Sequence, residues 1–140
     1  MFITKDDYKM VIGENALKVL SQIDPDNLNM AADEAVEEVS SYLRPTYNVD
    51  KIFAATAGER NRLLVMYTCD VALYHLSASV PQKMGSEIRE ERYKRAIEWL
   101  EGVQAGKIVP NLPKATDTET GEDAYNGLQW HSDRKLRNNW

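Results

Sequence analysis

Glu59-Arg60-Asn61-Arg62-Leu63-Leu64-Val65-Met66-Tyr67-Thr68-Cys69-Asp70-Val71-Ala72-Leu73-Tyr74-His75-Leu76 decides the fold of this chain of 140 residues. Between Arg62 and Leu76 only Thr68, Asp70 and His75 interrupt the apolar residues, which fall all round a helical wheel. A helix apolar on every side is buried on every side, so the stretch reads as the central helix of an all-α domain. At 1.5 Å per residue it runs roughly 27 Å, about the diameter of a small domain. A membrane span needs about 20 mostly apolar residues, and this run is too polar at its start, so no membrane role is expected.

The rest of the chain must supply the helices that cover it. Upstream, Thr4 is placed to cap a first short helix with Asp7 near its positive end, and Gly13 breaks it. Ala16, Leu17, Leu20 and Ile23 give a second short amphipathic piece. Pro25 suits the first position of a long helix. There Leu28, Ala32, Ala35, Val36, Val39, Tyr42 and Leu43 recur at three- and four-residue spacing. Arg44-Pro45 ends that helix, because the residue before proline disfavours the helical region. Thr46 to Ala55 reads as a connection anchored by Tyr47, Val49, Ile52 and Phe53, and the central helix is expected to begin near Thr56 to Glu59.

Downstream, Ser79 to Gly85 reads as a loop of a length suited to two antiparallel helices. Ser86 is the expected cap of the last long helix, whose stripe is Ile88, Tyr93, Ala96, Ile97, Trp99, Leu100 and Val103. Gly106 closes it. The expectation is a bundle of three long and one or two short helices over residues 1–106, followed by an extended C-terminal arm over 107–140. Pro110 and Pro113 forbid helix at the start of that arm. Residues 114–123 are polar and acid-rich, the composition of a flexible segment. The end of the arm nonetheless carries Tyr125, Leu128, Trp130, Leu136 and Trp140, a heavy apolar load that reads as a docking device.

Charge and composition narrow the function. The net charge is −5, and residues 1–106 hold 12 Lys and Arg against 17 Asp and Glu, while residues 107–140 hold 5 of each. Direct DNA readers carry a basic patch, which this balance does not supply. The opening Met1-Phe2-Ile3-Thr4-Lys5 leads into structure without the basic and apolar regions of a secretory signal. A single Cys69 and two scattered His, His75 and His131, offer no disulfide within the chain and no zinc constellation. Neither His has a nucleophile beside it in sequence, so His75 reads as a satisfied core residue, and no catalytic residue, metal or cofactor is expected.

Two charged features call for partners. Asp70 lies within the apolar run, and a buried carboxylate must be paired. Arg44 at the end of the preceding long helix is taken as its partner in a structural ion pair, with Arg92 or Arg95 of the last helix as the other choices. Asp33, Glu34, Glu37 and Glu38 form an acidic face without a base among them, suited to a lumen or a contact between subunits. Arg89, Arg92 and Arg95, with Lys94, are the basic surface such a contact would meet, as in heterologous rings.

Three segments together resemble a known family. Ser41-Tyr42-Leu43-Arg44-Pro45-Thr46-Tyr47 is similar to the YLR-x-x-Y signature of Mu-like phage proteins, with Pro45 and Thr46 where related versions carry a small residue and a second arginine. Asp70-Val71-Ala72-Leu73-Tyr74 resembles the D-x-A-x-Y segment of the same family. Arg92-Tyr93 through Leu100, followed by Gly106, is similar to its RY-x-x-A-x-x-x-L ending. The resemblance covers about residues 1–112 and places the chain with the small helical head-completion, or head–tail connector, proteins of tailed phages.

That resemblance implies a structural virion protein without enzymatic activity, found in the neck of the particle and in the host cytoplasm during assembly. Its implied partners are the portal protein, neighbouring copies in a ring commonly of about twelve, and the next neck or tail protein. Genomic DNA would pass through the lumen without sequence-specific binding, repelled from an acidic wall. The competing expectations are a soluble helical protein-binding or regulatory module, and, behind it, a small helical enzyme or nucleic-acid regulator.

Overall fold

The computed structural model describes residues 1–21, 25–78 and 86–115. Among these the chain is all-α, built from α1 (Lys5–Ile12), α2 (Glu14–Ser21), α3 (Pro25–Leu43), α4 (Val49–Ala54), α5 (Arg62–Ala78) and α6 (Ser86–Gln104). The three long helices α3, α5 and α6 are those the apolar spacing predicts. The expected loop at Ser79–Gly85, together with Ile23, lies outside the described residues.

The central helix is α5, and its reading holds. Leu64, Cys69, Val71, Ala72 and Leu73 are wholly enclosed, and so is Thr68, whose hydroxyl donates back to the carbonyl of Leu64 at 2.7 Å. That back-bond satisfies the hydroxyl without any outside partner. Two long helices flank α5, with α3 and α6 both packed along it and against each other, while α1 closes a third side. Tyr67 of α5 lies 5.0 Å from Trp99 of α6, ring centre to ring centre, so the pair buries a large apolar area between the two helices.

Helix ends follow local chemistry. Thr4 and Asp7 form a reciprocal capping box: the Thr4 hydroxyl accepts from the Asp7 backbone N–H, and the Asp7 carboxylate accepts from the Thr4 backbone N–H at 2.7 Å. Gly13 ends α1 with φ +82° and ψ 160°, a backbone region open essentially to glycine alone. At the far end Gly106 takes φ +75°, and the N–H groups of Lys107 and Ile108 both donate to the Gly102 carbonyl. Ile108 then folds over Gly102: a methyl group there would meet the Ile108 side chain at 2.6 Å.

Two readings of the linking segments need correction. The connection expected over Thr46–Ala55 contains a helix of its own, α4, because the Asn48 side chain accepts from the Lys51 N–H at 3.0 Å and starts a turn. Ile52 of α4 is buried beneath it, giving the bundle a third short helix beyond the one or two expected. The central helix also starts later than expected. Ala57–Glu59 form a separate 3-10 turn, with Ala57 at φ +50°, and α5 begins only after Asn61 caps it by accepting from the Leu64 N–H.

The first part of the C-terminal arm is extended, as its prolines require, and it is tied back. The Asn48 N–H donates to the Pro113 carbonyl at 2.9 Å, the Ala115 N–H donates to the Thr46 carbonyl at 3.1 Å, and Leu112 packs against the core. Tyr47 and Lys114 form an isolated antiparallel bridge, and no strand occurs among the described residues.

Gly13→Ala is expected to lower stability by about 1–2 kcal/mol, since a Cβ forces that φ and ψ into strain. Urea unfolding of the two proteins measures it, and an unchanged midpoint would show that the α1–α2 corner relaxes freely.

Candidate functional site

Three polar clusters join the helices, and each resolves a charge that the sequence leaves open. The first is at Asp70, which is 3% exposed in the middle of α5. Its partner is Arg92 of α6: Arg92 Nε donates to Oδ1 at 2.7 Å and an NH2 group donates to Oδ2 at 3.3 Å. This corrects the expected pairing with Arg44. Arg44 stands exposed at the end of α3 and clamps both oxygens of Glu37 at 2.8 Å instead. The helical phase explains the change: Arg89, Arg92, Ala96, Trp99 and Val103 share one row, and the last three of that row are buried.

Burial outweighs the guanidinium and leaves the Asp70 pKa above the usual carboxylate value. Arg89 joins the same corner, half-buried, with one guanidinium nitrogen enclosed and without a hydrogen-bond partner among the described residues. Burial and the neighbouring Arg92 together pull the Arg89 pKa down. Of the three arginines expected on a basic contact surface, only Arg95 is exposed; Arg92 is engaged by Asp70.

The second cluster centres on Glu38 and ties α3, α5 and α6 together. The Tyr93 hydroxyl donates to Glu38 Oε1 at 2.6 Å, and His75 Nε2 lies 2.6 Å from Oε2. Tyr93 in turn stacks on Tyr74, ring centres 4.0 Å apart and 13° from parallel. Burial and the Glu38 bond push the Tyr93 phenol above its ordinary pKa. Glu38 therefore leaves the acidic face on which the sequence reading placed it. Its position continues the row Ala31, Ala35, Tyr42, a signal that the run of acidic residues obscures. Asp33, Glu34 and Glu37 do stand exposed, and the outer side of α6 adds Glu87, Glu90, Glu91, Glu98 and Glu101. His75 is satisfied within the bundle, as expected.

The third cluster escapes sequence reading altogether. Arg60, only 14% exposed in its side chain, donates to both oxygens of Asp7, to the Phe2 carbonyl at 2.6 Å and to the Ala57 carbonyl at 3.1 Å. It pins the N-terminal residues to the start of α5. Burial raises the Asp7 pKa, but the hydrogen bonds from Arg60 and Thr4 outweigh it and hold the carboxyl below its usual range.

No group of three or more His, Cys, Asp or Glu among the described residues is placed to hold a metal ion. Cys69 is enclosed, and burial raises its thiol pKa well above the ordinary value, which suppresses the nucleophilic thiolate. One open cleft of about 400 Å³ lies between α1, the 3-10 turn and α5, with Arg92 at one wall. No helix among the described residues is long and apolar enough to cross a membrane. The docking residues expected in the arm, Tyr125, Leu128, Trp130, Leu136 and Trp140, lie outside the described residues.

Fold and clusters together define a small helical-bundle protein whose buried charges hold helix to helix. The chain belongs to the Bacteriophage Mu, Gp36 family, whose family model matches residues 2–126. It is thus a member of a bacteriophage protein family, which points to a structural or assembly role. The match runs past the 1–112 covered by the sequence resemblance and includes part of the arm. Searches of curated proteins and of solved structures gave no significant match.

Arg92→Met is expected to destabilise the bundle by about 2 kcal/mol, because it leaves Asp70 enclosed without its cation. Adding Asp70→Leu is expected to recover most of that loss, a non-additive pairing that denaturant unfolding of the single and double variants reads directly. Glu38→Ala is expected to cost about 1–2 kcal/mol by stranding Tyr93 and His75, whereas Glu34→Ala stays within about 0.5 kcal/mol of the parent. Equal losses in the two would mean that Glu38 is an ordinary surface acid.

Proposed function

We propose that this chain is a head-to-tail connector of the virion, forming a ring beneath the portal and bridging it to the next neck or tail component. The observation that carries the reading is the family match over residues 2–126. The structure agrees with a mechanical role in one respect: the Asp70–Arg92, Glu38–His75–Tyr93 and Asp7–Arg60 clusters each have a structural explanation as helix joints. Among the described residues they leave no unexplained pairing of acid, base and nucleophile, and the proposed role needs no catalysis.

The outer faces then become the working surfaces. Asp33 and Glu34 on α3 and Glu87, Glu91, Glu98 and Glu101 on α6 present negative charge to whatever passes or packs beside them, while Glu37 and Glu90 are paired with Arg44 and Lys94. Facing a lumen, such surfaces would repel DNA phosphates and let the genome slide without sticking. The aromatic residues of the arm supply apolar anchors for the portal or a neighbouring subunit, and multivalency around a ring lets modest single contacts sum to a durable joint.

The test is the native mass of the purified full chain alone and after mixing with its portal protein. The expected outcome is a portal-dependent complex holding many copies of this chain in a closed ring. A chain that stays a monomer or dimer and never co-migrates with the portal would overturn the connector reading and favour a soluble helical binding module.

A further inference from the structure

The cleft between α1 and α5 has a composition that the helix joints do not explain. Arg60, Arg62 and Arg92 line it together with Met10, Val65 and Met66. Arg60 and Arg92 already hold Asp7 and Asp70, but Arg62 is exposed and makes no ion pair among the described residues. Met10 on its rim is 85% exposed, and Leu63 beside Arg62 is 43% exposed. An open groove with an apolar floor and a surplus of guanidinium suits a chain segment that is acidic and carries an apolar anchor.

This protein contains such a segment. Between Lys114 and Arg134 there is no Lys or Arg, while Asp117, Glu119, Glu122 and Asp123 lead directly into Tyr125. We propose that the acidic stretch Asp117–Tyr125 of one copy seats in the cleft of a second copy, its carboxylates toward Arg62 and the Tyr125 ring over Met10 and Met66. The proposal rests on the ring reading above and names the contact that links one subunit to the next.

The path of the described arm favours a second copy over the same one. Asn61, between the cleft residues Arg60 and Arg62, donates to the Asn111 carbonyl at 3.3 Å, and four residues later the Ala115 N–H is bonded to Thr46. The arm has therefore left the start of α5 for the end of α3 before the acidic stretch begins. Return to the cleft within one molecule requires the chain to double back toward Asn61. The ten residues from 116 to Tyr125 can span roughly 34 Å when extended, enough to cross to a packed neighbour.

The experiment uses full-length chains carrying Cys69→Ala, one preparation with Gly58→Cys on the cleft rim, where an added side chain meets open space, and one with Asn126→Cys, mixed and treated with a short bis-maleimide. The expected product is a cross-link between the two chains, its yield reduced roughly tenfold by Arg62→Glu, equivalent to about 1.4 kcal/mol. Reversing Asp117, Glu119, Glu122 and Asp123 to Lys is expected to restore it in the Arg62→Glu partner, which separates charge pairing from misfolding. A cross-link indifferent to Arg62→Glu overturns the proposal, as does one formed only within a single chain bearing both cysteines. Absence of any cross-link while sedimentation still shows assembly removes the cleft contact and leaves the connector reading in place. A chain that stays monomeric with and without portal removes both.

Discussion

The bundle depends on enclosing α5 from all sides. Its residues Leu64 to Leu73 are apolar in every direction around the helix axis, so no single neighbour can cover it. Two long helices, a short N-terminal one and the Arg60 clamp on residues 2–7 all serve that demand. Desolvating this surface is the main favourable term in folding the domain, at roughly 25 cal/mol per Å² of apolar area.

Putting a carboxylate at the centre of such a helix creates the second constraint. Asp70 raises the free energy of any arrangement in which it is enclosed alone, and so selects the one in which α6 brings Arg92 alongside. Glu38 acts in the same way one turn along α5, where it meets His75 and Tyr93. Each carboxylate penalises a rotated or slipped α6 more than an apolar contact of equal area would. The polar joints thereby fix the register of the bundle, and with it which side chains are left facing out.

That outward face differs from the one helical charge patterns alone imply. The basic residues of α6 were expected as a contact surface, yet Arg92 turns to Asp70 and Arg89 is half-buried beside it. What α6 presents to solvent is largely glutamate, so α3 and α6 offer acidic surfaces together. Arg95 stays exposed on α6, and Arg62 adds positive charge at the mouth of the cleft. In the connector proposed above, this separation would let the acidic faces repel phosphate while the cleft offers attraction to an acidic segment.

The sequence by itself determined the central helix, the three long helices, the Thr4 cap, the break at Gly13, the closing role of Gly106 and the extended residues after it. Each of these is set by local rules: apolar period, capping hydrogen bonds, and the φ and ψ that glycine and proline allow. The family resemblance was legible for the same reason, since its motifs are short runs on single helices. Only the tertiary structure decided that Arg92 rather than Arg44 meets Asp70, that Glu38 points inward, that Arg60 clamps the N-terminus, and that residues 113–115 pair with the turn after α3. Those outcomes turn on the rotation and spacing of helices relative to one another, which side chains tens of residues apart settle by packing and desolvation. The helical rows of Arg92 and Glu38 hint at which way each faces, but no local pattern chooses their partners.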